Sequence, residues 1–192
     1  MTCNDLQVKT VPVRVVPAAG ALTGAMISGI FGVAWTQWGA SGISGAASAA
    51  IRVAGIVVGL VIVIWSARLR RSAPREVGGG SLFSSRAYRV VVALEVTGLV
   101  GGAMLLGAAG HSEYVVAWYA TAVGVHFLAF GRLFDAVFYR LGAALIAAGL
   151  AGAAVGLAGG GAGDIKATSG LLAAVSLFAA GGVTLLRNSG PR

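Results

Sequence analysis

The sequence predicts an all-α fold, a polytopic bundle of transmembrane helices forming a single domain over 1–192, and three observations carry that prediction. Hydrophobic residues make up 57% of the chain and charged residues only 10%, a balance that ordinary soluble domains do not reach. Apolar runs longer than about 18 residues recur with few charges inside them, which is the length a helix needs to cross hydrocarbon. The basic residues behind the net charge of +8 stand at the ends of those runs rather than along one solvated face. The charge therefore speaks for membrane topology and against nucleic acid as a partner, and membrane lipids are the expected surroundings.

The chain opens with a polar and basic lead over 1–16, with Lys9, Pro12 and Arg14 in it and Pro17 just beyond. The first apolar run covers about 18–40. It exceeds the roughly 7–15 residues of a secretory signal core, so a retained first span is expected. Further spans are expected at about 46–67, 88–109, 114–133, 137–158 and 169–186, six in all. The connections after even-numbered spans, with the helix ends beside them, are basic: Arg68, Arg70, Arg71, Arg75, Arg86 and Arg89, then Arg132 and Arg140, then Arg187 and Arg192. The connections Ser41–Gly45, Gly110–Glu113 and Gly159–Thr168 hold only Lys166. By the positive-inside rule both termini are expected in the cytoplasm, with the spans paired as three helical hairpins.

Glycine patterning refines the helices. Gly29–Ala34, Gly98–Ala103 and Gly149–Ala154 share a spaced pattern on the odd-numbered spans, which fits either a diverged hairpin repeat or the glycine-rich composition alone. Gly20 and Gly24, Gly55 and Gly59, Gly98 and Gly102, and Gly152 and Gly156 are GxxxG pairs. Such pairs let helix backbones approach closely, so a compact bundle is expected and a homo-oligomer through these faces is open. The triplets Gly78–Gly80 and Gly159–Gly161 lack the lysine-serine or lysine-threonine continuation of a phosphate cradle and read as turns.

The candidate chemistry lies between Arg86 and Asp135, where two apolar helices each carry one ionisable residue, Glu95 and His126. A charge in hydrocarbon is costly and is a site candidate by default. Both residues lie about seven positions from the basic ends of their helices, roughly 10 Å deep at 1.5 Å per residue. They are therefore level, and consecutive antiparallel helices let them face each other. Glu95 shares a helix face with Gly98 and Gly102, and His126 shares one with Ala122 and Tyr119. A protonated Glu95 would donate a proton, and an ionised one beside His126 would act as a general-base pair or a cation site. The plainer alternative is a structural hydrogen bond worth about 1 kcal/mol.

Aromatic residues come next. Trp38, Trp65 and Tyr114 fall near expected membrane surfaces, where amphipathic rings gather. Trp35, Trp118, Tyr119 and Phe127 sit deeper. They are expected either to wall a substrate cavity together with Gly98 or simply to pack. Arg52 is expected to snorkel or to pair with Glu113, and Arg132 with Asp135 to form a surface pair. Cys3 is the only cysteine, so an intrachain disulfide is excluded. There is no HExxH, CxxC, Walker lysine or nucleophile elbow, His111 is far in depth from His126, and neither metal nor cofactor is expected.

The segments Val123–Phe127, Arg132–Phe134 and Gly29–Trp35 resemble small six-span integral membrane proteins of bacteria, actinobacterial in their glycine- and alanine-rich style. That resemblance implies a multi-pass protein of the bacterial plasma membrane and carries no activity with it. In general terms the chain also looks like membrane-bound terpene cyclases, small helical bundles with acidic residues. The scarcity of interior polar groups disfavours a hydrophilic solute. An apolar, isoprenoid-like substrate is expected, cyclised or isomerised from a proton given by Glu95 and tuned by His126, with deep aromatics sheltering the cation. A small proton-coupled transporter and a non-catalytic membrane subunit are the competing expectations.

Overall fold

The computed structural model describes residues 19–71, 86–133 and 136–189. All of its regular structure is helical: α1 (Ala19–Ala40), α2 (Gly45–Arg71), α3 (Arg86–Ala108), α4 (Val115–Leu133), α5 (Val137–Leu157) and α6 (Ala162–Asn188), with a short 3-10 turn at Ser112–Tyr114. Among the described residues five stretches are long and apolar enough to cross a membrane: Gly45–Arg71, Tyr88–Ala108, Ser112–Arg132, Val137–Leu157 and Ala162–Asn188. These are the helices of a membrane protein. The expected first span, α1, has 22 residues but is interrupted by Thr23, Ser28, Thr36 and Gln37, and it stands outside those five.

The α3–α4 and α5–α6 connections are short because glycine turns them. Gly110 (φ +78°) reverses the chain after α3 and Gly159 (φ +91°) after α5, a backbone conformation that costs a side-chain-bearing residue about 1 kcal/mol or more. After Gly159 the helix α6 begins seven residues earlier than the expected span at 169, since Asp164 Oδ2 accepts a hydrogen bond from the Gly161 N–H at 2.9 Å and starts the helix in the polar segment. The basic lead with Cys3, the triplet at Gly78–Gly80, Arg75 and Arg192, and Asp135 as partner of Arg132 lie outside the described residues.

α6 is the central helix. It packs against α1, α5, α4 and α2. Trp35, Ala120, Leu141, Leu145, Ala148, Ala173, Ala174 and Leu177 form one core shared by α1, α4, α5 and α6, while Leu22, Ala25, Ile62 and Leu185 form a second between α1, α2 and α6. Glycine sets the helix spacing. A Cβ on Gly170 would lie 2.5 Å from the Gly39 Cα, and one on Gly142 would lie 2.6 Å from the Gly124 carbonyl oxygen, so α1 meets α6 and α4 meets α5 backbone to backbone. Lipid supplies no hydrophobic drive between helices, so such close contact is what holds them.

The GxxxG expectation is met unevenly. Gly55 and Gly59 receive Thr36 and Val33 of α1, and Gly152 and Gly156 receive Ser169, Ile165 and Tyr114, whereas Gly20, Gly24 and Gly98 face open space. α3 is the outlying helix. It packs on α4 and on the 3-10 turn, and it leaves Val90, Leu94, Val96, Val100, Met104 and Leu105 more than one-third exposed. In water such a face would drive aggregation, but beside acyl chains it needs no cover.

Candidate functional site

The seam between α3 and α4 is built from one stripe of α3, Val91, Glu95, Gly98 and Gly102, spaced so that all four share a helical face. Gly102 lets α4 approach there. A Cβ on Gly102 would collide with the Trp118 indole, and the Trp118 Nε1–H donates to the Gly98 carbonyl at 3.1 Å. Two turns further along the same antiparallel seam, His126 Nδ1 lies 3.2 Å from Glu95 Oε2. The two ionisable residues that share a depth in the sequence are therefore in contact.

Their side chains are 9% and 17% exposed for His126 and Glu95, so the pair is mostly enclosed. The carboxylate oxygen is close but out of line with the ring N–H. His126 Nδ1 is buried without an aligned hydrogen bond among the described residues, although the ring also engages the Val91 backbone one turn before Glu95. A buried polar atom left unaligned is costly, and here its nearest ionisable neighbour is the Glu95 carboxyl.

An aromatic wall closes over the imidazole. The Phe130 ring lies 4.0 Å from it edge to face and Phe127 lies 5.7 Å away at 80°. Phe138 of α5 stacks on Phe127 at 5.8 Å, and Tyr88 of α3 stacks on Phe130 at 5.6 Å. Rings at this range pack against the imidazole and keep water away from it. Tyr88 and Phe138 carry this wall and were not among the sequence candidates. The signal for Tyr88 was present, since it stands seven residues before Glu95 and hence on the same helix face.

The other expected cavity residues divide among three places. Phe127 belongs to the wall around His126. Trp118 and Gly98 hold each other across the seam and set its register, with Trp118 36% exposed. Trp35 is 4% exposed inside the main core, with Trp38 5.4 Å from it and Tyr119 5.7 Å from Trp38. Tyr119 stands seven residues from His126, about 10 Å along α4, so Trp35 and Tyr119 form a separate packed group. Trp35 belongs to the core shared by α1, α4, α5 and α6, and Tyr119 is partly buried against that core.

Arg52 does not pair with Glu113. Its Nη1 donates to Gln37 Oε1 at 3.3 Å and its Nε to Ser48 Oγ at 3.4 Å, while Glu113 contacts His111 at 3.3 Å. The α1–α2 hairpin supplies nearer acceptors than the α3–α4 turn does. Glu95 and His126 offer two ligand-type side chains, and no group of three or more His, Cys, Asp or Glu gathers among the described residues. No protein-family model, curated protein or solved structure matches the chain.

Proposed function

We propose that this protein is an integral membrane enzyme that transfers a proton to or from an apolar, isoprenoid-like molecule entering from the lipid, and so isomerises or cyclises it. The observation that carries this reading is the contact of Glu95 with His126 in an apolar seam whose outer helix faces lipid. A carboxyl and an imidazole 3.2 Å apart are near enough to exchange a proton once the two groups turn into line, and either can then pass it to a third group. In this reading Glu95 is the acid, His126 resets it, and Phe127, Phe130 and Tyr88 shelter positive charge as it develops. Membrane-bound terpene cyclases provide the general likeness. The six helices are read as six spans with α1 as the first, both termini in the cytoplasm, in a bacterial plasma membrane.

The test is direct. Purified protein in nanodiscs, given polyprenyl substrates in deuterated water, should place deuterium on carbon in the product. Glu95→Gln should lower that incorporation by about 100-fold or more, the usual weight of a general acid. Equal incorporation in the variant removes Glu95 as the acid.

A second reading, a proton-coupled transporter with the same pair as relay, is favoured by the packing of α3. That helix is held chiefly by α4, an arrangement that suits movement of one element against a fixed bundle. Efflux from proteoliposomes driven by a pH gradient, without chemical change in the solute, would select it over the enzyme.

A further inference from the structure

A second site lies on α2, away from the Glu95–His126 seam. α2 turns Gly55, Gly59, Ile62 and Ser66 inward, a stripe with the 4-3-4 spacing of a packed face. On its outward flank Val61, Ile64, Trp65 and Arg68 line a shallow groove of about 340 Å³. The order of the lining is informative. Val61 and Ile64 are about half exposed and apolar, Trp65 one turn on is a ring of the interfacial kind, and Arg68 stands in the last, basic turn of α2. The groove thus grades from hydrocarbon to interface to cation in the direction that a membrane grades from acyl chain to headgroup.

Charge decides the occupant. The described carboxylates are Glu95, Glu113 and Asp164, and each is engaged elsewhere: with His126, with His111 and with the Gly161 N–H. Among the described residues Arg68 therefore has no carboxylate to neutralise it, and Arg70 and Arg71 beside it add to the local positive charge. We infer that this groove binds an anionic phospholipid of the surrounding membrane, its acyl chain along Val61 and Ile64, its glycerol region against Trp65 and its phosphate on Arg68. A partner helix would need a carboxylate at this depth to do the same, and a zwitterionic lipid would bring its own cation against Arg68.

The test uses the full-length protein in bilayer nanodiscs of phosphatidylcholine containing a fixed fraction of brominated phosphatidylglycerol or, separately, brominated phosphatidylcholine. Quenching specific to Trp65 is the difference between the wild type and Trp65→Phe. Phosphatidylglycerol should be enriched at Trp65 about fivefold over its bulk fraction, the effect of roughly one favourable arginine contact near a membrane surface. Arg68→Gln should bring the enrichment to about one, while Arg71→Gln should leave most of it. Equal quenching by the two brominated lipids in the wild type would overturn the inference in favour of ordinary boundary lipid. Protection of Trp65 from both lipids would overturn it in favour of a second copy or another protein on α2.

Discussion

Glu95 and His126 can be weighed against each other by substitution because each leaves the other in an apolar seam. Glu95→Gln keeps the shape of the side chain and removes its charge, and His126→Asn keeps a polar group without the ring. Polar contacts between membrane helices are worth about 0.6 kcal/mol on average and up to about 1.7 kcal/mol. A double-mutant cycle of these two changes, followed by reversible unfolding in mixed micelles, should give a coupling within that range. Additive effects would mean that the side chains do not interact. Trp118→Phe removes the 3.1 Å bond to the Gly98 carbonyl. It should cost about 1 kcal/mol by the same measurement and, under the proposed function, lower activity through misplacement of α3 with the Glu95 carboxyl still present. The pair was legible in the sequence as two ionisable residues at one depth. The wall of Tyr88 and Phe138 was not, because it depends on how α3 and α5 rotate about α4, which helical spacing within one element does not fix.

At the level of elements, glycines are not equivalent, and the difference can be measured. A Cβ on Gly124 would lie 2.7 Å from the Gly142 carbonyl oxygen and 2.7 Å from Ile146, so α4 and α5 would have to separate. Gly124→Ala should destabilise the protein by about 1–3 kcal/mol, the cost of overpacking a close contact. Gly101→Ala has nothing within 4 Å and should be neutral or stabilising by up to about 1 kcal/mol through helix propensity. Equal effects of the two would contradict the packing of α4 on α5. The GxxxG spacing is visible in sequence, but which pairs are occupied depends on which neighbour arrives, and Gly20 and Gly24 have none within reach. The start of α6 was misplaced for a related reason. Asp164 and Lys166 read as a polar loop, whereas Asp164 caps the Gly161 N–H and the helix runs past the apolar span at its polar end.

For the whole molecule, the apolar composition and the charge at helix ends made the all-helical membrane fold legible, while the radial order of the helices was not. Sequence neighbours suggest three successive hairpins and each of those pairs packs together, but nothing in the sequence shows that α6 also gathers α1 and α4 around it and leaves α3 at the margin. Topology follows from the spans and can be read by labelling with a membrane-impermeant maleimide. Ser112 and Ser189 are separated by α4, α5 and α6, so Ser112→Cys and Ser189→Cys, each with Cys3→Ser, should label from opposite sides. Cys3 in the wild type should behave as Ser189→Cys does if α1 crosses as well. Labelling of Cys3 on the same side as Ser112→Cys would remove α1 from the spans.

The most direct measurement of the proton-exchange pair is an infrared titration of the Glu95 carboxyl in bilayer-reconstituted protein, with its band identified by loss in Glu95→Gln. A carboxyl that shares its proton with a neighbouring imidazole titrates as part of that pair, so His126→Asn should displace the midpoint. The same midpoint with and without the imidazole would contradict a working Glu95–His126 pair.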